Sequence, residues 1–336
     1  MRQPPTIGLF IGDPTGIGPE ICAKVLSQPD VLTQYRIRAF GDRRVFQLGQ
    51  RIAQTSVTCP IVPSLADVIK TEKLAFIDMQ NYDPTDMNMG KVDPTAGQSV
   101  GATLKEIIHL TDQGHLDAIV YAPLNKEALF RGGYQFKGEI HFFAHLLKVT
   151  KGFGEMNMLD DLWTARVTSH ISLAEVSQNI TIPNIIQTLQ LASTTLQQAD
   201  IPTPRIGVAA LNPHAGEGGL FGREEIDIIT PAIQAAQHQG IQALGPFAAD
   251  TIFIRAKPLK WDAIVSMYHD QGQIALKLMG FDRGVTVSAG LPTIIVTPAH
   301  GTAFDIAGKG SANPSALRNA LLLAGRMASQ TRELGS

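Results

Sequence analysis

Three histidines in the chain share one context, because each comes within three residues after a short apolar segment: His170, His214 and His269. Neutral imidazole nitrogens are among the ligands that zinc and other divalent transition metals prefer in proteins. Three of them around one ion leave a fourth position open, as in catalytic metal sites. A single histidine in this context more often belongs to an ordinary loop, but the three together favour a metal site.

Three carboxylates and two further histidines lie in the same part of the chain. Glu217, Asp250 and Asp270 could orient the imidazoles or act as further ligands. His141 and His145 have the i, i+4 spacing that places two side chains on one helix face. The pair lacks the glutamate of an H-E-x-x-H zinc motif, so we favour a structural role or a place in a substrate wall.

The elements that must position these histidines are predicted from apolar periodicity. Eight short apolar runs are typical of strands covered on both faces, and they are Thr6–Ile11, Arg36–Phe40, Leu74–Ile77, Asp117–Tyr121, Thr164–Thr168, Arg205–Leu211, Asp262–Met267 and Thr293–Val296. Helical spacing occurs between them, and a last helix follows Asn313 as N-cap with Pro314 in its first turn. This alternation predicts an α/β protein with largely parallel sheets. Ligands of such sheets bind beyond the carboxyl ends of the strands, where the three histidines would meet.

Length and composition set the domain count and exclude several classes of protein. The 336 residues suggest two domains. We expect residues 1–125 and about 290–336 to form the first, on the nucleotide side, and about 126–289 to form the second, with the metal histidines. The net charge of −2 argues against a nucleic-acid or membrane-surface binder. Two cysteines, no secretory segment and no long apolar span favour a cytoplasmic protein.

Three loops rich in glycine or proline could bind an anion or a nucleotide. The loop Gly12–Glu20 is either an anion site at a helix N-terminus or a tight turn, and it lacks the G-x-G-x-x-G pattern. Asn125 and Lys126 either bind an anion or form a helix cap and a solvated charge. In the loop His300–Gly310, the Asp305 carboxylate could accept from a ribose hydroxyl or simply cap the loop.

Six segments, in order and over nearly the whole chain, resemble the 4-hydroxythreonine-4-phosphate dehydrogenase family: G-D-P-T-G-I-G-P-E, A-P-L-N-K-E-A-L, L-N-P-H-A-G-E-G-G, A-A-D-T, M-Y-H-D-Q-G and H-G-T-A-F-D-I-A-G-K-G. The last is also similar to the adenine-side loop of isocitrate and isopropylmalate dehydrogenases. The resemblance implies two α/β/α domains with a cleft between them, NAD or NADP as cofactor, and a homodimer with the active site near its interface. It also implies a divalent metal, with zinc first and Co, Ni, Mn or Mg as alternatives.

The resemblance assigns roles to individual residues. His170, His214 and His269 match the metal ligands, and Lys277 matches a substrate-contacting lysine. Asp250 and Asp270 match aspartates that could orient the metal or act as base. The residues expected to contact the cofactor are Asn125, Lys126, His300, Gly301, Asp305 and Asn313.

The chain departs from the family at positions that contact the substrate phosphate. The family reads G-H-T-E where this chain has Glu139, Ile140 and His141 after Gly138. The family's asparagine and arginine fall at Thr286 and Ile295. Losing a charge-assisted contact costs about 1.5–3 kcal/mol, and a carboxylate about 4 Å from a unit negative charge repels it by about 4 kcal/mol at a dielectric near 20. We therefore predict a degraded phosphate subsite and a natural substrate other than 4-hydroxythreonine 4-phosphate.

The resulting functional prediction is oxidation of the secondary alcohol of a hydroxy acid, with decarboxylation, by a metal-dependent NAD(P) enzyme related to pyridoxine biosynthesis. An alternative is a cis-dihydrodiol dehydrogenase of aromatic catabolism, acting on an aromatic dicarboxylate such as terephthalate, where Lys277 could hold a carboxylate. Remote alternatives are a phosphate acyltransferase, which needs no histidine triad, and a non-catalytic binding protein.

Overall fold

The computed structural model describes residues 3–68, 72–280 and 282–334. Its strands, in chain order, are β1 (Thr6–Phe10), β2 (Arg36–Gly41), β3 (Ile61–Val62), β4 (Leu74–Asp78), β5 (Ala118–Tyr121), β6 (Gly154–Leu159), β7 (Leu162–Arg166), β8 (Arg205–Ala209), β9 (Gln242–Phe247), β10 (Ala263–Ser266), β11 (Val285–Ala289) and β12 (Ile294–Pro298). All eight predicted strands overlap an observed one, and the α/β class is confirmed.

The helices alternate with these strands over most of the chain. They are α1 (Gly18–Leu26), α2 (Pro29–Gln34), α3 (Arg43–Ala53), α4 (Pro94–Asp112), α5 (Lys126–Arg131), α6 (Glu139–Leu146), α7 (Leu173–Asn179), α8 (Ile182–Gln198), α9 (Thr230–His238), α10 (Ala249–Leu259), α11 (His269–Gly280) and α12 (Ser315–Leu334). Asn313 accepts from the backbone N–H of Ser315 at 3.0 Å, as its predicted capping role requires. Among the described residues, no helix combines the length and the apolar character needed to cross a membrane.

The chain divides into two compact units, with limits at Lys151/Gly152 and at Gly284/Val285. The first unit combines the N-terminal part with the C-terminal part, and its strands lie in the order β3-β4-β2-β1-β5-β12-β11. The strand pairs of this unit are parallel except β11 with β12, which is antiparallel. The central strands are apolar because both faces are covered: Ile7, Leu9 and Ile37 are completely buried.

Residues 126–151 belong to the first unit, whereas the sequence prediction assigned them to the second domain. The reason is the close packing of α5 on α4. A Cβ atom at Gly97 of α4 would lie 1.8 Å from the carbonyl oxygen of Ala128 in α5, so only glycine permits this approach. The helix pair therefore packs as one layer with the first sheet.

The second unit, Gly152–Gly284, has strands in the order β6-β7-β10-β8-β9. β7, β10, β8 and β9 are parallel to one another, and β6 is antiparallel to β7. Val208, Ile264 and Val265 at its centre are completely buried. The three segments that precede His170, His269 and His214 are β7, β10 and β8, which are neighbours in this order, so their carboxyl ends lie along one edge.

Candidate functional site

The ends of β7 and β10 leave the second sheet side by side, and each leads to a predicted metal ligand. Arg166 pairs with Ser266 in the parallel register. Beyond the strands, the Val167 N–H donates to the Ser266 carbonyl at 2.9 Å. The backbone N–H and the hydroxyl of Thr168 both donate to the Met267 carbonyl, at 3.1 and 2.8 Å. This pairing holds the two exits together up to the residues that precede the histidines.

The imidazoles of His170 and His269 are consequently neighbours, with ring centroids 5.7 Å apart and an interplanar angle of 43°. His269 is the first residue of α11, and its Nδ1 lies 2.7 Å from Oδ1 of Asp270. A carboxylate that accepts from Nδ1 fixes the proton on that nitrogen and leaves Nε2 with its lone pair, as metal-ligating histidines require. Asp270 therefore lies where it could orient His269, and the role stays a prediction.

His214 lies in a turn of unusual backbone conformation after β8. Residues 214–218 have five consecutive positive φ angles of 51, 54, 77, 44 and 65°. Two of these residues are glycines, but His214, Ala215 and Glu217 are not, and each carries left-handed strain. Both His214 and Glu217 are exposed.

A buried carboxylate anchors this turn. Oε1 of Glu225 accepts from the backbone N–H groups of Leu211 and Asn212, each at 2.8 Å. Its Oε2 accepts from the Asn212 side-chain amide at 3.0 Å. Glu225 is only 3% exposed and opens a π-helix, Glu225–Ile229. Sequence reasoning missed Glu225, although π-helical turns are frequent at functional sites.

Within the described part of a single chain, no group of three or more His, Cys, Asp or Glu side chains is placed to hold a metal ion. The structure brings His170 and His269 together but does not add His214 to them. The three-histidine site remains a prediction, with two of its members adjacent.

Asp250 and Asp270 line one groove of about 600 Å³ on the surface formed by α10 and α11. The rest of its lining is mostly apolar and includes Ile254 and Leu278, which are 76% and 84% exposed. Lys277 is exposed on α11, two turns beyond His269. The candidate base and substrate residues of this unit thus share one helix pair.

In the first unit, two of the glycine-containing loops meet at the carboxyl ends of the strands. The Ile17 N–H donates to the Thr302 carbonyl at 3.1 Å, which joins the loop after β1 to the loop after β12. Asp13 is completely buried, and its Oδ1 accepts from the N–H and the hydroxyl of Thr15 at 2.9 and 2.8 Å. Its Oδ2 has no hydrogen-bond partner, and burial raises the pKa of this carboxyl. Sequence reasoning named the loop but not Asp13.

The predicted cofactor residues border these same loops. The Asn125 side chain caps α5 by accepting from the Ala128 N–H at 2.8 Å, as the capping interpretation predicted. Burial lowers the pKa of His300, whose Nδ1 lies 3.1 Å from the Gly301 carbonyl. Asp305 is exposed in the following turn.

The end of this loop is held to α1 by hydrogen bonds to Lys24 and Glu20, which form an ion pair within that helix. Lys24 Nζ donates to Glu20 at 2.7 Å and to the carbonyls of Gly310 and Ala312, each at 2.8 Å. Glu20 in turn accepts from the Ala312 N–H at 2.8 Å. The loop after β12 is therefore held at its start and at its end.

The departures from the family pattern also lie in the first unit. Glu139, the first residue of α6, places its Oε2 3.2 Å from Lys126 Nζ, and its side chain is 13% exposed. Ile140 and Ile295 are buried, at 6% and 1% exposure. Thr286 pairs with Thr297 across β11 and β12. These positions supply an ion pair and apolar packing where the resemblance predicted contacts to a substrate phosphate.

His141 and His145 are both exposed on α6, which agrees with the one-face prediction. The His145 ring lies 5.3 Å from the ring of Phe136. The predicted structural or substrate-wall role of this pair stays a prediction.

Comparison with known proteins identifies the family. Residues 33–324 match the family model described as pyridoxal phosphate biosynthetic protein PdxA. A D-threonate 4-phosphate dehydrogenase of Cupriavidus necator is 39% identical over 323 residues, which cover 94% of this chain and 95% of that protein.

Two solved structures are similar over nearly their whole length. The 4-hydroxythreonine-4-phosphate dehydrogenase of Klebsiella pneumoniae is 35% identical with a TM-score of 0.83, covering 97% of this chain and 98% of that one. A terephthalate 1,2-cis-dihydrodiol dehydrogenase of Burkholderia xenovorans LB400 is 29% identical with a TM-score of 0.66, covering 96% and 98%. The family match, this degree of identity and the shared α/β architecture agree, and the chain belongs to the PdxA family of dehydrogenases.

Proposed function

We propose that this chain is a divalent-metal-dependent NAD(P) dehydrogenase that oxidises the secondary alcohol of a hydroxy acid with decarboxylation. The observation that carries the proposal is the adjacency of the His170 and His269 imidazoles at the ends of two neighbouring parallel strands. The Asp270 contact to His269 Nδ1 supports it, because that contact leaves Nε2 available as a ligand.

His170, His214 and His269 would hold the metal, with zinc as the first candidate and Co, Ni, Mn or Mg as alternatives. The bound ion would supply a Lewis acid beside the substrate oxygen. Asp270 orients His269, and Asp250 or Asp270 takes the hydroxyl proton as base. Lys277, exposed on the same helix as His269, binds the substrate carboxylate. A nicotinamide cofactor would supply the hydride acceptor, and the loop with His300, Gly301 and Asp305 would hold its nucleotide portion.

We further propose that the working form is a homodimer whose active site lies near the interface. Two observations support a second copy as the occupant of the α10/α11 surface. Within the described part of one chain, His214 does not join His170 and His269 in a group that could hold a metal. The surface beside that pair exposes large apolar side chains, including Ile254, Ile274 and Leu278.

Light scattering tests the dimer. We expect the wild-type chain to have the mass of two copies and Leu278→Asp to have the mass of one, because the added charge would be buried in the interface. Phe130→Asp is the control, since Phe130 is 51% exposed on α5 in the first unit. A wild-type monomer, or an unchanged mass for Leu278→Asp, would contradict the proposed interface.

The substrate is proposed to lack a phosphate. Lys126 is already paired with Glu139, so an incoming phosphate would compete with that carboxylate. The buried Ile140 and Ile295 provide no hydrogen bond or charge. A cis-dihydrodiol of an aromatic dicarboxylate is the second candidate, because the chain shares its fold with a dehydrogenase named for such a substrate.

A substrate panel with NAD and with NADP tests these proposals. It contains 4-hydroxythreonine 4-phosphate, four-carbon sugar-acid phosphates, their unphosphorylated forms and aromatic dicarboxylate dihydrodiols. We expect turnover of an unphosphorylated acid, and loss of that turnover after chelation. Efficient oxidation of a phosphorylated substrate would overturn the substrate proposal, and full activity after chelation would overturn the metal proposal.

A cytoplasmic location is also proposed. Both cysteines, Cys22 and Cys59, are free thiols, which suits a reducing compartment.

A further inference from the structure

We propose that Arg166 is a positioning residue that fixes the relative placement of His170 and of the α11 face that carries His269 and Lys277. This inference rests on the proposed metal site. It assigns a role to a buried network that neither the sequence motifs nor the proposed reaction includes.

Arg166 is the last residue of β7, four residues before His170, and its side chain is only 6% exposed. Its guanidinium donates in three directions: Nε to the Ser169 hydroxyl at 2.9 Å, Nη1 to Asn157 Oδ1 at 2.7 Å, and Nη2 to Glu155 Oε2 at 2.9 Å. Burial lowers the pKa of Arg166, and the Glu155 carboxylate opposes that effect. A guanidinium remains protonated in proteins. A buried cation with a donor aimed at each of three partners is a rigid junction.

One branch of this junction reaches the residue next to His170. Ser169, which accepts from Nε, is the residue immediately before His170. The Arg166 side chain therefore holds the loop that carries His170 to the end of β7. The backbone N–H groups of Val167 and Thr168 hold the same loop to the segment at the end of β10.

The second branch reaches α11 through a single oxygen atom. Asn157 is 4% exposed, and its Oδ1 accepts both from Arg166 and from the Gln273 side-chain amide, each at 2.7 Å. Gln273 lies four residues after His269 and four before Lys277, so the three side chains share one face of α11. Anchoring Gln273 thus sets the rotation of the face that presents His269 and Lys277.

A simpler role for Arg166 would be to join β6 to β7 through its ion pair with Glu155. The two roles differ in how many of the Arg166 interactions a lysine could keep. Lysine can pair with Glu155 as a point charge, but it cannot present three donors in the planar arrangement that meets Ser169, Asn157 and Glu155 together. Arg166→Lys therefore separates the positioning role from the ion pair.

The test measures Co²⁺ binding, by visible absorption and by chelator competition, together with thermal unfolding. We expect Arg166→Lys to weaken Co²⁺ binding by about ten- to hundredfold, as is usual for residues that orient ligands, and to change the absorption bands. Gln273→Met, at a half-buried site, should also weaken Co²⁺ binding and change the absorption bands in the same direction. The double variant should lose less than the product of the single losses, because the two residues act through one oxygen. Arg223→Lys, in an exposed ion pair with Asp227, is the control.

His170→Ala separates failure of this inference from failure of the metal site. If His170→Ala loses Co²⁺ while Arg166→Lys and Gln273→Met keep wild-type affinity and spectrum, the positioning role is overturned and the metal site stands. If His170→Ala binds Co²⁺ like the wild type, both proposals are overturned.

Discussion

Replacing Glu225 by glutamine should release the turn that carries His214. Each of the three non-glycine residues with left-handed φ in that turn costs about 1–2 kcal/mol, or about 3–6 kcal/mol together. Three bonds to the Glu225 carboxylate, at about 1.5–3 kcal/mol each, contribute about 4.5–9 kcal/mol and outweigh the strain.

Glutamine keeps only one carbonyl oxygen. It could retain the two backbone bonds, at about 0.5–1.5 kcal/mol each, and would set its own amide against that of Asn212. The remaining total of about 1–3 kcal/mol falls below the strain, so the turn should leave its left-handed conformation.

Amide hydrogen exchange measures this release directly. In Glu225→Gln we expect the Leu211 and Asn212 amides to lose protection by at least tenfold, with the amides of β8 unchanged. Glu224→Gln is the matched control, because the Glu224 carboxylate accepts from the Asn212 side chain and the Ser177 hydroxyl, whereas the two backbone N–H groups donate to Glu225. Unchanged protection of the two amides in Glu225→Gln would show that the Glu225 carboxylate does not anchor this turn.

Three further predictions concern the first unit. Asp13→Asn should raise the free energy of unfolding at neutral pH. Burial raises the pKa of Asp13, so the stability that its protonated form contributes is present at low pH and is lost as the pH rises through that pKa. Denaturation with the same pH dependence in the variant and the wild type would contradict this. Glu139→Gln should leave Lys126 without its ion pair and strengthen inhibition by inorganic phosphate several-fold, which inhibition kinetics would measure, and unchanged inhibition would argue against the ion pair. Gly97→Ala should destabilise the fold by about 1–3 kcal/mol or more and lower the melting temperature, whereas Gly301→Ala, which meets no atom within 4 Å, should not.

The sequence predicts the central strands well because a strand that is buried on both faces has a continuous run of apolar residues. The strands it missed lack that signal. β6 and β11 mix polar with apolar residues, β9 contains Gly245 and Pro246, and β3 has only two residues. The histidine pair was predictable because neighbouring parallel strands deliver the residues after them to one edge.

Other parts of the site leave no local pattern in the sequence. Arg166, Asn157 and Gln273 meet from two strands and a helix, and no spacing between them indicates it. Glu225 is ten or more residues from the backbone groups that it binds. The position of residues 126–151 depends on the contact of Gly97 with α5, which is a property of packing. Such features appear only once the three-dimensional arrangement is known.

The proposed metal site is tested most directly by the divalent-metal content and zinc affinity of the purified protein, measured by mass spectrometry of the metal and by equilibrium dialysis. We predict one tightly bound ion per chain in the wild type, near-complete loss in His170→Ala and in His269→Ala, and full retention in His238→Ala, a surface control at the end of α9. Wild-type zinc affinity in His170→Ala and His269→Ala would contradict the account.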